Sequence, residues 1–255
     1  MKKILITLAL AALLAVNASA TLVLDDFDGA VGQTANSTSN GVMVANTSAD
    51  ALVPGGFRTI EATCFSTGSP ACSNGQNAAG VVSPGSISFN LGGNVDGLFR
   101  LLYDANGAGL GGFDIAPLGE TTLELAVVGA DNAADDTQIS ITLIDTSANS
   151  HTIVLSFPTI PPNDFLSSTL LSGFTGGGVD IHSLQSIALQ FDTRLADGNG
   201  ADFSLNYIRT LGEPRCPDGS LPPCNGTGEI PEPTTLAMMG IGLVGLGLIG
   251  RRLSK

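Results

Sequence analysis

The sequence predicts an all-β fold, an antiparallel β-sandwich, with a transmembrane helix at the C-terminal end. Three observations carry that prediction. Nine short runs of alternating or β-branched residues follow one another along the chain, and glycine, asparagine and aspartate punctuate the gaps between them. Outside the two ends no stretch shows strong helical periodicity. Runs of this kind bury one face each, so they pack as two sheets around a shared core.

The runs are Leu22 to Phe27, Phe57 to Thr63, Ser86 to Leu91, Leu98 to Tyr103, Thr121 to Val128, Gln138 to Ile144, His151 to Phe157, Leu184 to Phe191 and Phe203 to Ile208. In the sixth, alternation puts Ile139, Ile141 and Leu143 on one buried face. By the same rule the seventh buries Ile153, Leu155 and Phe157, and Ser147 to Ser150 joins the two as a hairpin. Val179 to Leu184 has room for one turn. The last two runs, a short turn and strand followed by a loop and an Asp-led strand at Asp202, resemble the ending of secreted carbohydrate-binding jelly rolls. That likeness implies a Greek-key or jelly-roll strand order and says little about ligand.

The two ends read as targeting segments. Met1-Lys2-Lys3 is a positive start, Ile4 to Val16 an apolar run, and Ala18 and Ala20 form a small-x-small cleavage pattern, so residues 1–20 are expected to be a signal peptide. At the other end Ile230-Pro231-Glu232-Pro233 precedes an uncharged apolar stretch, Thr234 to Gly250, and the basic residues Arg251, Arg252 and Lys255. The stretch, 17 residues, lies at the lower edge of what a bilayer-crossing helix needs, and positive charge beside a span stays in the cytoplasm, which leaves the rest of the chain outside. Proline lacks an N–H and constrains the residue before it, so Pro231 and Pro233 hold Glu232 extended at the membrane surface. The whole arrangement resembles the PEP-CTERM sorting tail of exported bacterial proteins. The resemblance implies signal peptidase and the membrane peptidase exosortase as partners in export, a transient inner-membrane anchor of the Gram-negative type, and final placement at the cell surface or beyond it.

Between the ends, residues 21–211 form the expected sandwich domain and residues 212–229 a proline- and glycine-rich stalk. From Thr21 to Gly228 five arginines stand against twenty-one acids, a balance of −16, since every lysine lies in a targeting segment. Such a field repels phosphate backbones and excludes nucleic acid as a partner. The cysteines form two local pairs of equal spacing, Cys64 with Cys72 and Cys216 with Cys224. Three connectivities are open to four cysteines, and the local one suits an oxidising export route.

Catalysis finds little support in the residues. Neither His151 nor His182 stands near a Gly-x-Ser-x-Gly elbow, and glutamate is scarce, so no enzyme is expected. Three Gly-x-Gly-x-x-Gly matches, beginning at Gly107, Gly240 and Gly245, lack the strand and helix that dinucleotide binding requires. Acidic loops place oxygen donors at Asp104, Asn106, Asp135, Asp136, Asp197, Asn199 and Asp202, which makes Ca2+ the one cofactor to consider. Turn formation accounts for the same residue types. Tryptophan is absent and only Tyr103 and Tyr207 carry a phenol, so a glycan would be held mainly by polar side chains. The expected role is a structural or adhesive protein of the bacterial surface or its polysaccharide matrix. A carbohydrate- or calcium-binding module is the alternative, and a secreted hydrolase comes third.

Overall fold

The computed structural model describes residues 21–66, 72–73, 76–93, 95–131, 134, 137–158, 164–194 and 200–212. The expected signal peptide, most of the stalk, the sorting tail with its apolar span, and Cys216 and Cys224 lie outside those residues. Among the described residues no helix is long and apolar enough to cross a membrane.

Thirteen strands form two antiparallel sheets: β1 Thr21–Asp25, β2 Thr34–Ser37, β3 Met43–Ala49, β4 Phe57–Ser66, β5 Ala78–Ser83, β6 Ser86–Leu91, β7 Val95–Tyr103, β8 Thr122–Val128, β9 Gln138–Asp145, β10 Ser150–Ser156, β11 Asp164–Leu170, β12 Leu184–Asp192 and β13 Phe203–Leu211. A short helix, α1 Leu171–Gly176, follows β11 directly. The seven-stranded sheet runs β11-β8-β13-β6-β5-β2, with β1 also paired to β13. The six-stranded sheet runs β10-β9-β12-β7-β4-β3.

All nine expected runs are strands, and the hairpin between β9 and β10 turns where the sequence places it. Four strands were not legible: β2, β3, β5 and β11. Three of them are sheet edges with only small or alternating half-buried side chains, and β5 is built of Ala, Gly and Val. Edge positions bury too little on either face to stand out as a pattern. At the tight turn from β5 to β6, Pro84 presets one torsion and Gly85 supplies the positive φ of 73° that follows it.

The core is aromatic where the sheets face each other. Phe89 and Phe203 from one sheet meet Phe99 and Phe191 from the other, with Phe89 ring-centre separations of 4.9 Å to Phe99, 5.3 Å to Phe191 and 5.1 Å to Phe203. Phe157 stacks edge-on against Phe203 at 5.2 Å. A disulfide joins Cys64, at the end of β4, to Cys72 in the loop that follows.

One polar cluster is buried inside this sandwich. Alternation along β4 turns Arg58 inward with Ile60, Ala62 and Cys64, all fully buried. A bulge in β1 between Val23 and Asp25 turns two successive residues, Leu24 and Asp25, toward the interior. Arg58 Nη1 then donates to both carboxylate oxygens of Asp25, at 2.7 and 2.6 Å. Its Nη2 donates to the Gly29 carbonyl at 2.8 Å and its Nε to Gln33 Oε1 at 3.1 Å. Asp50 Oδ2 lies 3.4 Å from Nη2, an ion pair without a hydrogen bond. The Tyr103 hydroxyl donates to Asp25 at 2.7 Å. Burial, with the Asp25 charge behind it, pushes the Tyr103 phenol well up, and burial also raises the Asp25 carboxyl against the pull of Arg58.

At the far end of the sandwich Asp145 organises the β9–β10 turn. Its two oxygens accept from the backbone N–H groups of Ser147, Asn149 and Asp180 and from the Asn149 amide, at 2.8 to 3.1 Å. The Asn149 side chain leads these donors in holding the Asp145 carboxyl below its ordinary value of 3.8.

Two predictions follow from these clusters. Arg58→Ala leaves Asp25 and Asp50 buried without their cation, and urea denaturation should show a loss of about 3–5 kcal/mol. Asp145 binds its proton less readily folded than unfolded, so its stabilisation is present above the unfolded value and lost as pH falls through the folded one. Asp145→Asn should therefore melt earlier than the parent at pH 7, and the gap should close as the pH is taken down through 3.8 and below.

Candidate functional site

The outer face of the six-stranded sheet carries a band of polar side chains that alternation alone puts there. In β7 the inward set is Val95, Gly97, Phe99, Leu101 and Tyr103, which leaves Asp96, Leu98, Arg100 and Leu102 outward. In β4 the outward set is Phe57, Thr59, Glu61, Thr63 and Phe65. Strand register then lines up one row across the sheet: Ala45, Glu61, Arg100, Gln190, Ser140 and Val154. At the usual strand spacing that row is about 24 Å long.

Hydrogen-bonding groups fill the middle of the row. Arg100 Nη1 donates to Glu61 Oε2 at 3.3 Å, and the arginine side chain remains 39% exposed. A single long contact leaves most of the guanidinium N–H groups available to a ligand. Thr59 and Thr63 point outward yet are only 7% exposed, so their neighbours rise above them and β4 runs along the floor of a furrow. Parallel to the row, Thr47 bonds Thr59 and Thr142 bonds Thr152, each through hydroxyls 2.8 Å apart.

One end of the face is more heavily charged. Arg194 forks onto Asp192, Nε to Oδ1 at 2.9 Å and Nη2 to Oδ2 at 2.6 Å, while its guanidinium lies 4.8 Å from the centre of the Phe65 ring. Asp96 sits beside this pair. Burial, and then the Asp192 charge, raise its carboxyl above the ordinary range. Phe65 and Phe57 are thus partly exposed aromatic side chains on the outward face of β4.

The other described arginines are neutralised too. On the opposite sheet Arg209 bonds Glu124 through Nε at 2.7 Å and Nη2 at 2.6 Å, above the Tyr207 ring. Among the described residues Arg58, Arg100, Arg194 and Arg209 each face a carboxylate. An anionic ligand would have to displace one of those partners.

The acidic loop residues do not converge where they can be seen. Asp104 and Asn106 lie in the turn after β7, tightened by Gly109 N–H to Asp104 O at 2.7 Å. Asp202 lies near the start of the same strand, its Oδ1 accepting from Leu91 N–H at 2.8 Å, and neighbouring Gly200 N–H donates to Val95 O. The length of β7 separates the two groups. Asp135, Asp136, Asp197 and Asn199 lie outside the described residues, and among the described ones no three acidic, His or Cys side chains could hold a metal. His151 faces inward on edge strand β10, its ring 6.3 Å from Phe174. His182 is exposed and its Nδ1 lies 2.9 Å from Asp114 Oδ1.

Glu61, Arg100, Gln190 and Ser140 could not be grouped from sequence, because they come from four strands remote along the chain. The available signal was Arg100 itself, a cation inside the otherwise apolar run Leu98 to Tyr103.

Residues 229–252 match the family model for the PEP-CTERM protein-sorting motif. The chain therefore carries an exosortase-sorting signal. A PEP-CTERM signal marks an exported protein for membrane processing on the way to the cell surface. No curated protein matches the sequence. Among solved structures, a family 11 carbohydrate-binding module from Clostridium thermocellum, in complex with a β-1,3-1,4-mixed-linked tetrasaccharide, aligns at 13% identity and TM-score 0.37, over 76% of this chain and 97% of that one. The xylan-binding module CBM15 aligns at 9% identity and TM-score 0.35, over 76% and 97%. PfGH50B aligns at 10% identity and TM-score 0.40, over 54% of this chain and 22% of its own. None of these likenesses assigns a ligand to the PEP-CTERM chain.

The motif generates a direct prediction. Mass spectrometry of the protein from cells with exosortase should find a C-terminus that has lost Arg251 and Arg252, and from cells without it an intact tail.

Proposed function

We propose that this is an exported, exosortase-processed component of the cell surface or extracellular matrix, in which a jelly-roll-like sandwich adheres to neutral polysaccharide through the outer face of its six-stranded sheet. The observation that carries the reading is the row Glu61, Arg100, Gln190 and Ser140, set across four strands on the outer face of the sheet. Arg100 and Gln190 supply donors and Glu61 an acceptor, the pattern that sugar hydroxyls need. The row is long enough for several sugar rings in line.

Charge selects the polymer. Each described arginine already has a carboxylate, and the balance of −16 from Thr21 to Gly228 opposes a polyanion. An uncharged glucan or similar chain meets neither obstacle. Phe57 and Phe65 each stand four residues along β4 from Glu61, off the row, and Phe65 is covered by Arg194. Affinity therefore rests on hydrogen bonds and is modest for one site.

The experiment is affinity electrophoresis of the exported protein through gels containing neutral or uronic-acid polysaccharides. A neutral polymer should retard the parent, and Arg100→Ala should weaken binding about tenfold or more, the effect of losing a hydrogen bond from a charged donor. The same substitution should change stability by less than about 1 kcal/mol, because exposed ion pairs contribute little. Equal retardation of parent and variant, or retardation only by the acidic polymer, defeats the reading.

A further inference from the structure

The loop that follows β7 holds three left-handed residues in a row. Ala105, Asn106 and Gly107 have φ of 52°, 57° and 82°. Residues with a Cβ seldom take this conformation, and then singly, so Ala105 and Asn106 in succession are strained. The base of the loop is fixed. Gly109 N–H donates to Asp104 O at 2.7 Å and Leu110 N–H to Gln185 O at 2.9 Å, while the Gln185 side chain lies where a Cβ on Gly109 would collide with it. Ala105 sits against Gly55 of a neighbouring loop. The tip, Asn106 to Ala108, is exposed.

An Asn-Gly pair can react with itself, because the glycine nitrogen reaches the asparagine side-chain carbonyl without a Cβ in the way. Five such pairs occur in the sequence, and two of them, Asn40-Gly41 and Asn106-Gly107, lie within the described residues. Both asparagines are exposed, so exposure does not separate them. The attacking nitrogen does. Gly41 N–H donates to Cys64 O at 2.8 Å, and Asn40 is bridged to Cys64. Gly107 N–H and the Asn106 amide bond no group among the described residues, and open space surrounds the position of a Cβ on Gly107.

We propose that Asn106 is a site of spontaneous modification, converted to aspartate and isoaspartate as the exported protein ages, and that Asn40 is spared. Hydroxide removes the Gly107 N–H proton, and the nitrogen attacks Asn106 Cγ. The bond from Cγ to the side-chain nitrogen breaks, and that nitrogen leaves as ammonia with a proton from water. One water then opens the cyclic imide, at Cγ to give aspartate or at the backbone carbonyl carbon to give isoaspartate, in which the chain runs through Cγ. Water is the only co-reactant. Ring closure rotates the peptide between Asn106 and Gly107 and so releases part of the strain of the loop. The product gains a carboxylate two residues from Asp104. Because an exported chain is beyond the turnover of the cytoplasm, the modified fraction records how long a molecule has stood outside the cell.

The test holds the folded, exported protein at mildly alkaline pH and samples it over days. Samples are quenched in acid, unfolded and cleaved briefly with chymotrypsin after Tyr103 and Phe113. Mass spectrometry with electron-transfer fragmentation then counts amide, aspartate and isoaspartate at Asn106 and at Asn40. Asn106 should lose its amide roughly tenfold or more faster than Asn40, since the Gly41 hydrogen bond has to break before attack. The rate should rise with hydroxide concentration, with isoaspartate the larger product. Gly107→Ala should slow the change several-fold, and Asn106→Gln should leave the peptide mass constant throughout. The same chain in urea supplies a comparison that needs no substitution, because there both pairs react freely. The proposal is overturned by an Asn106 that keeps its amide in the folded protein while the chain in urea loses it, by an Asn40 that reacts as fast as Asn106 in the folded protein, or by a Gly107→Ala variant as fast as the parent. No readout involves a glycan, so the result is independent of polysaccharide adhesion.

Discussion

The guanidinium of Arg58 is the constraint around which the sandwich is arranged. Its place in the alternation of β4 turns it inward, and an unpaired cation there would be costly. The interior answers with Asp25 from β1, Gln33 from the approach to β2, Asp50 from the approach to β4 and the carbonyl of Gly29, while Tyr103 from β7 ties Asp25 to the other sheet. Buried ion pairs seldom add much net stability over an apolar equivalent. Their effect here is on register. Slipping β4 by one residue would send Arg58 to the surface and turn Thr59, Glu61 and Thr63 into the core, so the same cluster that closes the interior also fixes which residues form the outer furrow.

Much of the fold was legible because the central strands have strong contrast between their faces. Strands β7, β9 and β12 alternate cleanly or run apolar, and each of them sits in the middle of a sheet. Of the edges β10 was legible from the alternation that turns Ile153, Leu155 and Phe157 to one face, whereas β3 and β11 bury neither face fully and carry no distinctive residues. The targeting tail was the most readable part, as its signal is a linear order of proline, apolar and basic segments that needs no folding to be recognised. The site was the least readable. Glu61, Arg100, Gln190 and Ser140 become neighbours only through cross-strand register, and no linear pattern encodes that. The acidic loops drew attention in the sequence because their residues are adjacent there, yet Asp104 and Asp202 stand at opposite ends of β7.

The polar row and the edge strand β10 are two outcomes of one alternation rule applied to different strands. Across the central strands the outward positions hold groups that can trade hydrogen bonds with a wet ligand. At β10 they hold Ser, Thr and Val, which add no charge. Both surfaces face away from the aromatic core, so Phe89, Phe99, Phe191 and Phe203 hold the layers together without limiting what the outside can become.

Strand β1 begins at Thr21, and its closest partners are the last residues of β13, with Thr21 opposite Leu211 and Leu22 opposite Thr210. The first segment of the domain thus waits for the last before it can pair. Chains dominated by such distant contacts fold slowly, because loop closure must precede the contacts that reward it. For an exported polypeptide this ordering leaves the seven-stranded sheet, in which β13 also joins β8 to β6, incomplete until the last strand of the domain has emerged.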